Sequence, residues 1–281
     1  MPDRVLIVGC GYTGLPLALR LQREGHEVSV WVHSEASAAA LSSHSFRRVV
    51  VGNVADRAAW QNVDANFDGV VHIASSGKGG EDAYRDVFVR GIEAINAHQP
   101  QARRLFVSST SVYGQTQGEI VTEDSPAEPS VATGLLLRSA EKMALEHGGI
   151  VIRSVGIYGP GRGVLFEKFR RGEAVIEGDG TRWLNMIHRD DLVAAVAHLL
   201  DQGDGGQIYN AADDAPVTLL DFYTWCAAFL QKPLPSYGPV NPNRKRGLTS
   251  KRVSNAKLRA TGWRPLYSSF REGLSLEAPS S

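Results

Sequence analysis

The feature that most constrains the fold of this chain is a short apolar run that passes directly into a glycine-rich turn. Residues 5–8 are Val-Leu-Ile-Val, the turn is Gly9-Cys10-Gly11-Tyr12-Thr13-Gly14, and helical periodicity follows over residues 15–24. Continuous apolar runs are typical of parallel strands that are buried on both faces. A G-x-G-x-x-G turn between a strand and a helix can hold a pyrophosphate on the helix N-terminus. The sequence therefore predicts a βα unit that binds a dinucleotide through Gly9, Gly11, Tyr12, Thr13 and Gly14.

Further apolar runs alternate with helical patterns along most of the chain. They lie at residues 28–32, 49–51, 69–74, 105–108 and 149–153, and the clearest helix between them covers residues 81–98. This alternation predicts an α/β fold with a doubly wound parallel Rossmann sheet.

The pattern changes after Gly161. Residues 175–180 predict a turn between two short strands, and Thr218 with Asp221 predicts a capping box for a helix that ends near residue 230. We therefore expect a Rossmann domain over 1–160, to which 186–212 return. A smaller C-terminal substrate-binding lobe should comprise 161–185 and 213–281.

Composition limits the partners of the protein. Of 281 residues, 30 are basic and 30 are acidic, so the net charge of zero favours neither a nucleic acid nor an anionic membrane as a partner. No apolar stretch is long enough to be a signal peptide or to cross a bilayer, and the expected location is cytoplasmic. The two cysteines, Cys10 and Cys226, match no metal or redox spacing, and no other cluster predicts a metal site. The expected partner is a small-molecule substrate.

The end of the second strand bears on the choice of cofactor. An Asp or Glu at this tip would bind the ribose 2′-hydroxyl of NAD, but the strand ends in Trp31-Val32-His33-Ser34. A tip without a carboxylate leaves room for a 2′-phosphate, so the sequence favours NADP over NAD, with His33 and Ser34 as contacts. His33 as an exposed loop residue is the alternative.

Six further segments have a spacing that resembles the NAD-dependent epimerase/dehydratase family, the extended short-chain dehydrogenases/reductases. The resemblance covers nearly the whole chain. The segments are Gly52-Asn53-Val54-Ala55-Asp56, Asp68-Gly69-Val70-Val71-His72-Ile73-Ala74, Ser108-Ser109-Thr110-Ser111-Val112-Tyr113-Gly114, Arg153 with Tyr158-Gly159-Pro160-Gly161, Ile187-His188-Arg189-Asp190-Asp191, and Ser254-Asn255-Ala256-Lys257-Leu258 with Gly262-Trp263-Arg264-Pro265.

The resemblance implies positions for the cofactor and the substrate. Asn53 and Val54 would contact the adenine. The end of the fourth strand, Ala74 and Ser75, would lie beside the cofactor ribose. Ser108 would line the cofactor. Ser109 occupies the place of the family's catalytic Ser/Thr, which hydrogen-bonds the substrate oxygen; a polar strand-end residue that lines the cofactor is the alternative for Ser109.

Two departures from the family pattern stand out. The usual G-x-x-G-x-x-G turn would put its first glycine at Val8, and the Y-x-x-x-K motif aligns with Thr133 and Leu137. In the family this tyrosine is the general acid/base, and the lysine lowers its pKa. A threonine hydroxyl is too weak an acid for proton transfer near neutral pH, and leucine supplies no charge. The family's usual mechanism therefore cannot operate on these two residues.

Several residues could contribute to the site in place of that motif. Tyr113 and Tyr158 are predicted to border the substrate pocket, and either could be a substitute acid if a cation lowered its pKa; packing beside the cleft is the alternative for both. A basic group, in which Arg252 is the predicted substrate contact, could approach a substrate phosphate or could be a solvated loop. Its members are Arg244, Lys245, Arg246, Lys251 and Arg252.

Two hypotheses on function remain open at the level of the sequence. The first is an NAD(P)-dependent oxidoreductase or epimerase-like enzyme with a non-standard acid/base, acting on a carbonyl or hydroxyl substrate such as a nucleotide sugar. The second is a dinucleotide-binding sensor or regulatory protein without catalysis. Apolar positions on the helices at 87–95 and 135–145 permit a homodimer, and a monomer is equally compatible with the sequence.

Overall fold

The protein is described by a computed structural model that covers residues 2–61, 63–77, 79–241, 247 and 249–277. Its strands follow in chain order: β1 Arg4–Val8, β2 Glu27–Val32, β3 Arg48–Val51, β4 Gly69–His72, β5 Arg103–Ser109, β6 Glu119–Val121, β7 Ile150–Ser154, β8 Gly156–Tyr158, β9 Ile176–Glu177, β10 Trp183–Leu184, β11 Met186–His188, β12 Ile208–Ala211, β13 Val217–Thr218, β14 Tyr237–Gly238 and β15 Lys251–Val253.

The helices are numbered in the same way: α1 Gly14–Arg23, α2 Glu35–Ala39, α3 Arg57–Trp60, α4 Glu81–Tyr84, α5 Gly91–His98, α6 Ala132–Glu146, α7 Val164–Arg170, α8 Arg189–Gln202, α9 Leu219–Leu230, α10 Ala256–Ala260 and α11 Phe270–Glu277. A six-residue π-helix, Arg85–Arg90, joins α4 to α5, and Thr110–Val112 forms a 3₁₀ turn. The predicted helix over 81–98 is therefore continuous but contains one wide segment.

Seven strands form a parallel sheet in the order β12-β7-β5-β4-β1-β2-β3. This confirms the predicted α/β fold with a doubly wound Rossmann sheet. The strand order reverses between β1 and β4, where Val5 pairs with Gly69 and Val8 with His72. In open parallel sheets, ligands bind outside the carboxyl ends of the strands at such a reversal. The turn after β1 occupies this place.

The chain divides into two compact units. Unit 1 comprises residues 1–112, 127–153 and 193–209, and it contains most of the central sheet. Its strands are buried because their side chains are apolar on both faces: Val5, Leu6 and Ile7 are fully buried. The indole rings of Trp31 and Trp60 extend this core, with ring centroids 4.5 Å apart.

Unit 2 comprises residues 113–126, 154–192 and 210–281. It has an aromatic core around Phe166, Phe222 and Phe270 and four two-stranded sheets, β10-β13, β11-β8, β14-β9 and β15-β6. The predicted turn at 175–180 joins β9 and β10, which pair with β14 and β13 rather than with each other. The predicted cap of α9 is present, because Thr218 Oγ1 accepts a hydrogen bond from the Asp221 N–H at 3.1 Å. The assignment of cofactor and substrate binding to separate domains stays a prediction.

Among the residues that the structure describes, no helix is both long and apolar enough to cross a membrane.

Candidate functional site

The fold requires glycine at two of the three glycine positions in the turn after β1. Gly9 has a φ of +104°, and a Cβ there would lie 2.3 Å from Ala74 Cα. A Cβ at Gly14 would lie 1.9 Å from the Gly9 carbonyl oxygen. A Cβ at Gly11 would meet no protein atom within 4 Å, and its φ lies outside the left-handed range. The fold therefore explains glycine at positions 9 and 14 but not at Gly11, where the open space fits a bound group that approaches the backbone.

The N-terminus of α1 is arranged to receive an anion. Thr13 is the N-cap residue, but its side chain makes no capping hydrogen bond, and the first turn contains no acidic residue. The N–H groups of the first turn and the partial positive charge of the helix are therefore not neutralised by a carboxylate. Tyr12, the other predicted contact in the turn, is half-buried. The residues present fit the pyrophosphate of a dinucleotide.

The tip of β2 carries the two predicted contacts for a 2′-phosphate. His33 is exposed, and Ser34 is the N-cap of α2, where its Oγ accepts a hydrogen bond from the Ser37 N–H at 3.3 Å. Glu35 lies in the first turn of that helix rather than at the strand end. The tip thus presents an imidazole and a helix N-terminus, which is consistent with the predicted cofactor preference but does not test it.

The loop after β3 is held by two indole N–H groups. Trp31 Nε1 donates to the Gly52 carbonyl and Trp60 Nε1 donates to the Val54 carbonyl, both at 2.8 Å. Asn53 Oδ1 accepts from the Ala55 N–H at 3.0 Å. These contacts fix the predicted adenine-binding residues Asn53 and Val54 in a rigid loop. Their contact with adenine stays a prediction.

The end of β4 lies directly against the glycine turn. The Ile73 N–H donates to the Val8 carbonyl at 2.9 Å, and Ala74 is the residue that a side chain at Gly9 would strike. Ser75 is exposed. The structure therefore brings Ala74 to the turn, as the sequence predicts for a residue that lines the cofactor.

A buried polar network lies behind the end of β5. Ser108 Oγ donates to Glu141 Oε1 at 2.7 Å, and Arg153 donates from Nε and Nη2 to the same carboxylate at 3.1 and 2.8 Å. Arg138 Nη1 donates to Glu141 Oε2. The Glu141 side chain is fully buried and that of Arg153 is 1% exposed. Ser109, the next residue of β5, is half-buried, and its Oγ accepts from the Ser111 N–H at 3.1 Å.

The positions that align with the family's tyrosine and lysine lie on α6. Thr133 is half-buried in the first turn of this helix, and Leu137 is 4% exposed. A leucine buried to this extent contributes to packing and can supply neither a proton nor a charge.

Tyr113, in unit 2, is completely buried. Its hydroxyl lies 2.9 Å from both the Thr122 carbonyl and Asn210 Oδ1. A hydroxyl has one proton, so it donates to the carbonyl, and the Asn210 amide satisfies it best as a donor from Nδ2. Both hydrogen-bonding capacities of Tyr113 are then used inside the protein. This geometry argues against the predicted catalytic and substrate-binding roles of Tyr113.

Tyr158, also in unit 2, is surrounded by acidic groups. It is 4% exposed, and its hydroxyl donates to the Ser269 carbonyl at 3.3 Å. Burial raises the pKa of Tyr158, and the nearby carboxylates of Asp213, Asp191 and Glu272 raise it further. A substitute acid requires a cation that lowers the pKa, so the structure argues against Tyr158 in that role. Its predicted contact with substrate stays a prediction.

Two of the predicted basic residues are described on β15. Arg252 donates from Nε to the Gly118 carbonyl at 2.9 Å, and its guanidinium lies 5.1 Å from the ring centroid of Trp183. It lines a cavity of about 240 Å³ together with Asp213 and Asn255. Arg244, Lys245 and Arg246 lie outside the described residues.

Lys251 differs from Arg252 because its side chain is buried. Its Nζ donates to the Tyr113 carbonyl at 3.1 Å and to Thr249 Oγ1 at 2.6 Å. Burial lowers the pKa of Lys251 to about 8. The amine thus belongs to the interior of unit 2 rather than to a solvated basic loop.

The sequence did not indicate the environment of two ionisable groups, Arg138 and Asp213. Arg138 pairs with Glu141 three positions later, a spacing that the sequence displays. Asp213 is 2% exposed, and burial raises its pKa to about 8. Its enclosure comes from distant segments, so no local pattern could have indicated it.

Comparison with known proteins gives consistent matches. The sequence model of the NAD dependent epimerase/dehydratase family matches residues 5–212. Protein YeeZ of Escherichia coli K12 is 31% identical over 238 residues, which cover 81% of this chain and 84% of that protein. The 3-diazoavenalumate denitrifying reductase of a Streptomyces species is 28% identical, and the match covers 98% of this chain and the full length of that protein.

Solved structures show the same fold. One of them is the dTDP-glucose 4,6-dehydratase of Bacillus anthracis, determined in complex with NAD. It superposes with a TM-score of 0.81 at 19% identity, and the match covers 96% of this chain and 94% of the dehydratase chain.

Proposed function

This chain belongs to the NAD dependent epimerase/dehydratase family, and from that premise we propose that it is an NAD(P)-dependent oxidoreductase or epimerase-like enzyme for a carbonyl or hydroxyl substrate. The observation that carries dinucleotide binding is the open space at Gly11, together with the uncapped N-terminus of α1. The bound cofactor would accept or donate a hydride. Gly9, Gly11 and Gly14 would hold its pyrophosphate, and Ser108 and Ser109 would lie beside its nicotinamide half.

Proton transfer would have to follow a different route from the family's usual one. Thr133 and Leu137 offer no acid of suitable pKa, and the hydroxyl of Tyr113 is used inside unit 2. General acid/base catalysis contributes about 10²–10⁴ in rate, so a hydride step can proceed without it at a reduced rate. The Streptomyces relative, a reductase by name, supports reductive chemistry. The family's dehydratases and epimerases support a nucleotide sugar as substrate.

A melting-temperature titration with NADPH, NADP⁺, NADH and NAD⁺ tests dinucleotide binding. A ligand that binds only the folded state at 100 times its Kd stabilises it by about 2.7 kcal/mol. Gly11→Ala should leave the melting temperature of the free protein nearly unchanged, because its Cβ meets no atom within 4 Å outside the neighbouring residues, and should reduce the shift strongly. Gly9→Val is the contrasting variant, since it should lower the melting temperature without any ligand. Absence of a shift with all four dinucleotides at millimolar concentration would refute the proposal.

The preference for NADP is tested at the tip of β2. His33→Asp places a carboxylate that would repel a 2′-phosphate and would accept a hydrogen bond from a ribose 2′-hydroxyl. We expect the ratio of the Kd values for NADPH and NADH to shift at least tenfold toward NADH. Glu35→Gln, two residues away at an exposed side chain, is the matched control and should leave the ratio within about twofold.

The alternative, a dinucleotide-binding sensor without catalysis, is favoured by the burial of Leu137 at the position of the family's lysine. A crystal structure with bound cofactor distinguishes the two. An ordered nicotinamide facing an open cleft beside Ser109 supports the enzyme, and a nicotinamide facing a closed wall supports the sensor. Light scattering on the same sample would decide between the monomer and the homodimer.

A further inference from the structure

The principal partner of the Glu141 carboxylate is Arg153. Arg153 binds it through Nε and Nη2, at 3.1 and 2.8 Å, and both side chains are buried from solvent. A guanidinium that contacts a carboxylate through two of its nitrogens forms a strong and directional ion pair. Ser108 Oγ adds a third hydrogen bond at 2.7 Å. Arg153 and Ser108 together therefore contact both oxygens of the Glu141 carboxylate.

Arg138 brings a second positive charge to the same carboxylate. Its Nη1 donates to Glu141 Oε2, and within the described part of the chain this is the one carboxylate with which it pairs. Two guanidiniums therefore share this one carboxylate. The Arg138 side chain is 34% exposed, whereas Arg153 is enclosed. Of the two guanidiniums, that of Arg138 is thus the one that a ligand can reach.

This charge lies at the end of the sheet where a cofactor would bind. Ser108 is the penultimate residue of β5, and Glu141 links its hydroxyl to the Arg138 guanidinium through one carboxylate. Ligands of parallel α/β sheets bind outside the carboxyl ends of the strands. Glu141 thus holds the Arg138 guanidinium at this end of the sheet.

We propose that Arg138 positions the nicotinamide half of the bound dinucleotide by donating hydrogen bonds from its exposed guanidinium edge. The inference rests on the proposed dinucleotide binding. Glu141 orients the guanidinium, and Arg153 holds Glu141 in place through two hydrogen bonds. Arg138 is a positioning residue for the cofactor in this arrangement, and the pyrophosphate and adenine are held independently by the glycine turn and by the loop after β3.

The test separates the two halves of the cofactor. Dissociation constants of Arg138→Gln are measured for three ligands. NADPH is complete, 2′-phospho-ADP-ribose keeps the second ribose without the nicotinamide ring, and 2′,5′-ADP lacks the whole nicotinamide half. Loss of a charged hydrogen bond should weaken NADPH binding about tenfold or more. Binding of 2′,5′-ADP should stay within twofold of the wild type. Arg138→Lys, which keeps the charge, should recover part of the NADPH affinity.

The control variant is Arg90→Gln. Arg90 is 57% exposed and pairs with Asp86 in the π-helix, so it tests the loss of an arginine from a neighbouring helix of unit 1. It should leave both ligands unaffected. Circular dichroism and the melting temperature of Arg138→Gln verify folding, which Arg153 should preserve.

The possible results separate the two proposals. An equal loss of affinity for NADPH and 2′,5′-ADP, or no loss for either, would overturn the role of Arg138. Failure of the wild-type protein to bind any of NADPH, NADP⁺, NADH and NAD⁺ would instead refute the proposed function, on which the role of Arg138 depends. If the wild-type protein binds NADH and not NADPH, the same comparison is made with NADH and ADP.

Discussion

Unit 1 and unit 2 each bury acidic side chains, but they compensate the charge in different ways. In unit 1, Glu141 is ionically paired with Arg153 and Arg138. In unit 2, the described residues supply backbone N–H groups and no guanidinium to Asp191 and Asp213. Asp191 accepts from the amides of residues 266 and 267, and Asp213 Oδ1 accepts from the amide of residue 215.

The consequence appears in the protonation of the two acids of unit 2. Burial raises the pKa of Asp191 to about 6 and that of Asp213 to about 8. The Phe270 N–H lowers the pKa of Asp213 somewhat, although Oδ2 completes no hydrogen bond. Unit 1 therefore compensates its buried carboxylate with guanidinium groups, whereas in unit 2 Asp213 keeps a proton near neutral pH. A guanidinium stays charged at all these pH values, but the proton of Asp213 is lost as the pH rises through about 8.

The largest expected effect comes from removing the cation of unit 1. Arg153→Met should leave the buried Glu141 carboxylate without its principal partner and lower the free energy of unfolding by about 3–5 kcal/mol. Urea denaturation at pH 7 measures the loss. Lys142→Met is the control, because Lys142 is 77% exposed and pairs with Glu146 at 3.7 Å; it should cost at most about 1 kcal/mol. Equal costs for both variants would show that the buried pair contributes no more than the exposed one.

A smaller effect should follow from replacing the protonated acid of unit 2. Asp213 has a pKa near 8 when folded and 3.8 as a free side chain. Between these values the folded state keeps a proton that the unfolded state releases, so stability falls as the pH rises. Each unit of raised pKa corresponds to about 1.4 kcal/mol. Asp213→Asn should be nearly neutral at pH 5 and should reduce the loss of stability between pH 5 and pH 8.

Urea denaturation at pH 5, 6.5 and 8 measures that dependence. Asp204→Asn removes an exposed carboxyl and should leave the wild-type dependence on pH unchanged. An identical dependence in Asp213→Asn and in the wild type would contradict the protonated state of Asp213.

The sequence predicted the central sheet well because its signals are local. The run at residues 5–8 became β1, and the run at 28–32 became β2, each extended by one residue. Unit 2 was less predictable because its strands are two or three residues long and pair with distant partners. The turn at 175–180 indicated a local hairpin, whereas β9 pairs with β14, about sixty residues later. A two-residue strand has no periodicity from which its partner could be inferred.

The residues of the candidate site divide in the same way between local signals and contacts made by distant segments. The glycine turn follows from spacing, and the structure adds that Gly11, unlike Gly9, is not required by the fold. The roles of Arg138 and Asp213 depend on which charges become enclosed. Enclosure is produced by segments far apart in the chain, such as β5 and α6 around Glu141, and composition alone does not reveal it.

The pairing of β6 with β15 affects the order in which parts of the chain can fold during translation. Glu119–Val121 lies parallel to Lys251–Val253, so β6 must wait for about 130 further residues to be synthesised before its partner exists. Unit 1 requires the chain only as far as residue 209. During translation, unit 1 can thus assemble while the edge of β6, with Ile120, is still unpaired. Unpaired strand edges promote aggregation, so this interval is where a slow or truncated synthesis would be most damaging.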